Sequence, residues 1–138
     1  TFEAIVHDKL NATAIDIRER PKAYLIKSDQ YDVIEKLKLL GLKLEGVDGK
    51  VNYTVEQYVI EDYFKEKMKY EGVYMQKVKA KTEKINLDVD SSWLILDMTQ
   101  RKSNLAIEVL EPEAPNSFVS YSVIPTFLGD VLPIYRLN

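Results

Sequence analysis

The sequence predicts an α+β domain rich in β-strand, with about eight strands in an antiparallel sheet or sandwich and two short covering helices. Segments in which apolar and polar residues alternate recur along the 138 residues, as expected of strands with one exposed face. Helical spacing of apolar residues appears in only two segments, 29–40 and 103–110. No internal repeat or low-complexity stretch divides the chain. Residues 1–138 are therefore predicted to form a single domain, with 1–19 as a linker and first strand.

Four predicted strands lie in the first half of the chain. Residues 14–18 alternate in polarity, and residues 23–26 form a second extended run. Residues 42–47 and 51–60 are predicted to pair as a hairpin, because Gly49 accepts the positive φ of a tight turn. We therefore expect neighbouring antiparallel strands here.

The second arm of this hairpin changes the phase of its apolar residues. One set consists of Val51, Tyr53 and Val55, and the next consists of Tyr58 and Ile60. The change predicts a bulge or bend near Gln57 that turns both sets inward.

The first helix is predicted at residues 29–40. Its apolar residues share one stripe, and Ser28 or Asp29 is placed to cap the free backbone amides at its start. Gly41 is expected to end the helix, because glycine adopts the left-handed conformation common at helix C-termini.

The second half of the chain continues the strand pattern. Residues 73–80 and 83–89 are predicted as separate strands, and the apolar run at 93–96 as a central strand buried on both faces. The second helix, beginning at Ser103, must end before Pro112.

Two more strands are predicted near the end of the chain. Residues 118–124 alternate in polarity. Residues 132–137 contain Pro133, which donates no backbone hydrogen bond, so this segment is predicted at the edge of the sheet.

Composition excludes several functional classes. The absence of cysteine excludes disulfides, thiol catalysis and cysteine-ligated metal, and the absence of a long apolar run argues against a membrane partner. The net charge is −3, and the dense lysine stretch at 65–84 also contains glutamates, so it predicts solvated strand faces rather than a nucleic-acid site. No glycine-rich phosphate loop is present.

Candidate metal ligands are few. His7 is the only histidine, and an exposed side chain without a catalytic partner is the preferred interpretation. Asp88 and Asp90 resemble the opening of a calcium loop, but the glycine and the final glutamate of such a loop are missing. We therefore predict no metal and no other cofactor.

Two further sets of residues are candidate sites. Glu111 and Glu113 could form a carboxylate pair, but Pro112 is expected to point their side chains apart, and no polar partner is evident from the sequence. The nine tyrosines could form an aromatic platform for a sugar or peptide, although packing within the sheet is the preferred interpretation. We predict no catalytic or cofactor-binding residue in this chain.

Several motifs occur in an order that resembles a known family. They are residues 20–26 (RPKAYLI), 70–73 (YEGV), 91–95 (SSWLI), 110–119 (LEPEAPNSFV) and 133–137 (PIYRL). Together they resemble the non-catalytic C-terminal domain of bacterial carboxypeptidase A-type zinc peptidases. The family's metal-binding His-x-x-Glu pair has no counterpart here.

The resemblance implies an accessory domain with no chemistry of its own. Its expected partner is a peptidase domain in the same polypeptide, in the periplasm or outside the cell. It also implies an exposed apolar patch where that domain packs. The alternative is a stand-alone glycan- or peptide-binding β module, which a solvent-facing cluster of three or more aromatic rings would favour.

Overall fold

The computed structural model describes residues 18–70 and 72–138. This part of the chain forms a six-stranded sheet and two helices, which confirms the predicted β-rich α+β class. The elements in chain order are β1 (Ala23–Lys27), α1 (Tyr31–Leu39), β2 (Glu45–Gly46), β3 (Val51–Tyr70), β4 (Val73–Val89), β5 (Trp93–Asp97), α2 (Ser103–Leu110) and β6 (Val131–Leu137). No helix in the described residues is long and apolar enough to cross a membrane.

All strand pairs are antiparallel, and the strand order is β2-β5-β1-β6-β3-β4. Strands β1 and β6 therefore lie at the centre, between partners that are distant in sequence. β6 was predicted at the edge, and that prediction is wrong. Pro133 is accommodated where the pairing of β6 with β3 becomes irregular, between the partners of Gln57 and Val59.

Other predicted strands also differ from the structure. The segment at 42–47 contributes only β2, which pairs with β5, so no hairpin forms around Gly49. The two strands predicted at 73–80 and 83–89 are one continuous strand, β4. Residues 118–124 form turns. Predicted strand 14–18 lies outside the described residues except for Arg18.

The strand at 93–96 is present as β5, but it is not central. Its neighbours are β1 and β2, and β2 supplies only two residues. The described residues thus form six strands, where about eight were expected for the whole chain.

The sheet buries apolar side chains on both faces. On the face that packs against the helices, here called the helical face, Tyr58 and Ile60 join the larger core together with Leu37 of α1 and Leu110 of α2. On the opposite face, Val55 belongs to a smaller cluster. Successive strand residues point to alternate faces, so each phase of apolar residues has its own core.

An irregularity is present near Gln57, as predicted: the register of β3 with β6 shifts between Gln57 and Val59, although β3 stays in register with β4 from Val51 opposite Val89 to Ile60 opposite Ala80. Its predicted effect, turning both apolar sets of β3 toward one core, is wrong. The apolar phase changes along β3 because the strand first contributes to one face and then to the other.

Helix α1 packs Val33, Ile34 and Leu37 into the core, as its apolar stripe predicted. Its N-cap residue is Gln30, without a side-chain capping bond, so the predicted cap at Ser28 or Asp29 is wrong.

The C-terminus of α1 has a Schellman motif, as glycine at position 41 favours. Gly41 has φ +87°, and its amide donates to the Lys38 carbonyl at 2.9 Å. The Leu42 amide donates to the Leu37 carbonyl at 3.1 Å. Leu42 is then buried in the core, which fixes the direction in which the chain leaves the helix.

Beyond Val59, β3 has no ladder partner on β6. The β3–β4 hairpin continues past the sheet to a turn at Gly72, where φ is +85°. We call residues 64–70 and 72–75 the hairpin arm. None of the arm residues is buried.

Replacing Gly41 by alanine is expected to lower the free energy of unfolding by about 1 kcal/mol, because a Cβ makes positive φ costly. The new Cβ would lie 2.8 Å from Lys102 Nζ, a flexible group that can move away. Urea denaturation followed by circular dichroism measures the change. Gly46→Ala is the matched control, since its Cβ would have no neighbour within 4 Å. An equal loss in both variants would contradict the helix-end argument.

Candidate functional site: a buried carboxylate network

The most unusual polar feature of the described residues is Glu111, which follows α2 and is 2% exposed. Pro112 disfavours helical angles for the residue before it, and Glu111 accordingly has φ −69° and ψ 120°. The chain leaves the helix in an extended conformation at this point. A carboxylate this deeply buried is stable only if hydrogen bonds and opposite charges replace its water.

Four side chains supply those hydrogen bonds. The hydroxyls of Tyr24 and Tyr58 donate to Glu111 Oε2 at 2.5 and 2.7 Å. Arg136 Nη1 donates to the same oxygen at 2.8 Å, and Arg18 Nη1 donates to Oε1 at 3.1 Å. Both carboxylate oxygens are therefore occupied, one of them by three donors.

The donors come from neighbouring strands. Tyr24 lies in β1, Arg136 in β6 and Tyr58 in β3, which are adjacent in the sheet. Tyr24 and Arg136 are direct partners across β1 and β6. Glu111 thus joins the end of α2 to the three strands beneath it.

Glu113 extends the network to the edge strand. Arg18 donates hydrogen bonds to both oxygens of Glu113, and its Nη2 also donates to the Ala80 carbonyl at 2.8 Å. The Ala80 amide donates to Glu113 Oε2 at 3.1 Å. Side chains therefore satisfy backbone groups that β4 would otherwise expose at this point of its edge.

This geometry corrects the prediction for the two glutamates. Pro112 does not separate their side chains, because both carboxylates bind Arg18. Each glutamate has polar partners, contributed by residues distant in sequence. We call Arg18, Tyr24, Tyr58, Glu111, Glu113 and Arg136 the buried carboxylate network.

The charges of the network are nearly balanced. Arg136 Nε lies 3.5 Å from Glu56 Oε1, an ion-pair distance without a hydrogen bond, in addition to its contact with Glu111. Burial lowers the pKa of the Arg18 guanidinium, but Glu113 and Glu111 outweigh that effect and raise the pKa above its ordinary value. Both arginines therefore remain charged, which keeps the buried carboxylates compensated.

The arrangement favours a structural role over catalysis. A general acid or base must reach the proton that it transfers, whereas Glu111 is only 2% exposed and is hydrogen-bonded through both oxygens. A pocket of about 220 Å³ adjoins the network and is lined by its residues Arg18, Tyr24, Glu111 and Arg136 together with Arg20. Arg20 is itself bound to Asn104 and the Met98 carbonyl.

The other predicted candidates do not come together. His7 lies outside the described residues. Asp88 accepts a hydrogen bond from Asn52 across the hairpin at 2.8 Å. Asp90 accepts bonds from the Ser92 hydroxyl and amide, which lower the pKa of Asp90. Within residues 18–70 and 72–138, no three His, Cys, Asp or Glu side chains form a group able to hold a metal ion.

The tyrosines have divided roles. Tyr24 and Tyr58 are fully buried in the network, and Tyr135 packs edge-to-face on Trp93 with ring centroids 5.5 Å apart. Tyr70 and Tyr74 of the hairpin arm are exposed. Packing within the sheet thus accounts for the first three, and the arm presents the others to solvent.

Sequence reasoning missed Arg18 and Arg136 as members of the site. Arg136 does interrupt an otherwise apolar end of β6, and a charge at a core position is a signal for a buried partner. Nothing local identifies Glu111 as that partner, because the two residues meet only through the sheet order.

Comparison with known proteins gives related sequences but no known structure. The chain is 33% identical to carboxypeptidase 2 of Trichophyton equinum over 127 residues, which cover 92% of this chain and 24% of that protein. Carboxypeptidase 2 of Trichophyton tonsurans is 32% identical with the same coverage, and that of Trichophyton rubrum is 32% identical over 121 residues. No family model and no solved structure matches.

The chain therefore spans about a quarter of the length of the curated relatives it matches. The similarity associates it with a portion of a carboxypeptidase, in agreement with the predicted resemblance at that level. These relatives are fungal, and nothing in the comparisons supports the restriction to bacterial enzymes.

Glu111→Gln is expected to lower the free energy of unfolding by about 3 kcal/mol or more, because it leaves Arg136 buried without its closest countercharge. Urea denaturation at neutral pH measures the loss. Glu108→Gln removes an exposed charge from the same helix and is expected to change stability by about 0.5 kcal/mol at most. Similar small effects in both variants would show that the network does not stabilise the fold.

Raising the pH above about 10 is expected to destabilise the chain through Tyr24 and Tyr58. Burial, followed by the charge of Glu111, raises the pKa of both phenols in the folded state. Unfolded tyrosines ionise near pH 10, so the stabilising contribution is complete below that pH and falls above it, by up to about 1.4 kcal/mol per pH unit for each tyrosine.

Urea denaturation at several alkaline pH values tests this dependence. Tyr58→Phe should reduce the slope of stability against pH by the contribution of one tyrosine. Tyr31→Phe, at a position that is 75% exposed, should leave the slope unchanged. Exposed tyrosines ionise in the folded protein, so only phenolate absorbance equivalent to all nine tyrosines before unfolding would contradict the burial of the two hydroxyls.

Proposed function

We propose that this chain is a non-catalytic accessory domain of a zinc carboxypeptidase and that it packs against the peptidase domain or frames access to its cleft. The similarity of nearly the whole chain to about a quarter of carboxypeptidase 2 carries the proposal. In this proposal residues 1–138 form one C-terminal domain, of which 1–19 are the linker and first strand. The complete protein acts in the periplasm or outside the cell.

The buried carboxylate network supports this function. Its glutamates are hydrogen-bonded to arginines, tyrosines and backbone groups, so these carboxylates stabilise the fold. The network makes the sheet and α2 a rigid unit on which an adjoining domain can rest. Metal and catalytic base belong, in this proposal, to the peptidase part of the polypeptide.

A second function remains open because of the hairpin arm. Phe64, Tyr70 and Tyr74 are 53%, 53% and 39% exposed, and together they supply three solvent-facing rings. Such rings can stack on sugar or contact peptide, as in a glycan- or peptide-binding β module. The carboxypeptidase relatives favour the accessory domain over this alternative.

The chain expressed alone with zinc is expected to release no C-terminal amino acid from peptide substrates, since the proposal assigns it no catalytic group. The gene upstream of Thr1 is expected to encode a peptidase domain with a His-x-x-Glu pair. Amino-acid release measured by mass spectrometry and sequencing of the gene test these expectations. Zinc-dependent turnover by the chain alone, or an upstream region without a peptidase domain, would contradict the proposal.

A further inference from the structure

The hairpin arm projects beyond the other strands of the sheet, so surfaces that neighbouring strands cover elsewhere are exposed in the arm. The turn that precedes β6 makes its last backbone hydrogen bonds to β3 at Ile60. The Gly129 amide donates to the Ile60 carbonyl at 2.8 Å, and the Ile60 amide donates to the Asp130 carbonyl at 2.9 Å. Slightly further along, Tyr63 packs edge-to-face on Phe127 with centroids 5.0 Å apart. The pairs Phe64–Lys77 and Tyr70–Val73 are four residues apart on β4, so the arm extends by about 13 Å at about 3.3 Å per residue.

The base of the arm is held firmly, so the arm is not a loose end. Gln76 is 4% exposed, and its amide nitrogen donates to the carbonyls of Val119 and Ile124 at 2.9 and 3.2 Å. Tyr63 donates to Gln76 Oε1 at 3.0 Å. A rigid base presents the arm in a fixed direction.

The arm exposes several large apolar side chains, which contact with water does not favour. Phe64 and Tyr70 are each 53% exposed, and Met68 is 82% exposed. Phe64 lies opposite Lys77, and Tyr70 opposite Val73. Opposed residues of a ladder share a face, and residues 73 and 77 of β4 do so as well, so the two rings lie on the same side of the arm.

The charge of the arm specifies the partner. The arm contains three lysines (Lys65, Lys67 and Lys69) and one glutamate (Glu66), and Glu71 follows Tyr70 in the sequence, although the whole chain has a net charge of −3. Lys65 and Lys69 each place Nζ 5.5 Å from the ring centre of Tyr74. Tyr74 follows Val73 on β4, so Tyr74 and these two cations lie on the side of the arm opposite Phe64 and Tyr70. One side of the arm is therefore apolar and the other is cationic, and a partner that encloses the arm must offer both apolar and acidic groups.

Resting on the proposed function, we infer that the hairpin arm is the element that docks onto the peptidase domain, at a surface that offers apolar groups to one side of the arm and acidic groups to the other. The relatives contain about three times as much additional chain as the matched portion, which provides a partner within the same polypeptide. Helix α1 also exposes Tyr31 and Leu39, but its two acidic residues and two lysines balance, so it lacks an excess of positive charge. The apolar patch expected from the sequence resemblance is thereby assigned to a specific hairpin.

Lysine labelling tests the inference on the complete polypeptide encoded by the gene and on this chain alone. Brief acetylation by an N-hydroxysuccinimide ester, quantified by mass spectrometry, gives the reaction rate of each lysine. Lys65, Lys67 and Lys69 are expected to react about tenfold more slowly in the complete polypeptide, as a docked population of about nine in ten requires. Lys36 and Lys38 of α1 serve as internal references and should react equally in both molecules.

Paired variants of the complete polypeptide separate docking from other causes of protection. Phe64→Ser with Tyr70→Ser should return the labelling rates of the arm lysines to those of the isolated chain. Tyr31→Ser with Leu39→Ser removes exposed apolar surface from α1 and should leave the protection intact. Thermal unfolding of the isolated chain with each pair checks that the fold survives.

Three results would overturn the docking role of the arm. Unprotected arm lysines together with protection elsewhere on this chain would place the interface on another surface and leave the accessory-domain function standing. No protection at any lysine, with a peptidase domain present upstream, would show that the arm does not dock. A third result combines two observations: the arm lysines are unprotected in the complete polypeptide, and the isolated chain binds vesicles that contain phosphatidylserine unless it carries Phe64→Ser with Tyr70→Ser. That result would assign the arm to anionic lipid.

Discussion

Burial of the Glu111 carboxylate is the constraint on which the rest of the architecture depends, because its charge must be compensated where water cannot reach it. Its donors lie on β1, β6 and β3, so the compensation is available only when these strands are adjacent and in their observed register. A shift of one residue in β6 would turn Arg136 to the opposite face. The network therefore favours one strand arrangement over other arrangements that bury similar apolar area, a specificity role that buried ion pairs have in some proteins.

The same network connects the interior to the edge of the sheet. Glu113 and Arg18 bind the backbone amide and carbonyl of Ala80. The backbone amide of Gln76 donates to the Ser120 carbonyl, and the Ser122 hydroxyl donates to the Tyr74 carbonyl. The segment after α2 thus covers the outer edge of β4 as far as Tyr74, at the base of the hairpin arm. This coverage protects β4 from edge-to-edge pairing and leaves the rest of the arm exposed.

The functional picture follows from how the acidic groups are used. In an active site, a buried carboxylate is commonly left with a free lone pair or a raised pKa directed at substrate. Here the glutamates bind structural partners, and the exposed surface with distinctive chemistry is the cationic, aromatic arm. These features are compatible with the proposed accessory role, and the chain matches about a quarter of the length of its carboxypeptidase relatives.

The sequence by itself determined the local features that depend on nearby residues. The apolar stripe and Gly41 defined α1, Pro112 ended α2, and alternation located most strands. The same local rules misplaced β6 and divided β4, because a proline or a polar residue inside a strand is acceptable wherever the ladder partner or a side chain compensates for it. Resemblance in ordered motifs also indicated the carboxypeptidase association.

Only the tertiary structure decided how these elements meet. Arg18 and Glu111 are 93 residues apart, and Glu111 and Arg136 are 25 apart, so no local pattern could pair them. Side-chain partners on different strands are set by sheet order, and sheet order reflects the burial of both faces together with the compensation of buried charge. For this reason the sequence could locate Glu111 and Glu113, whereas the fold alone made them the centre of the structure.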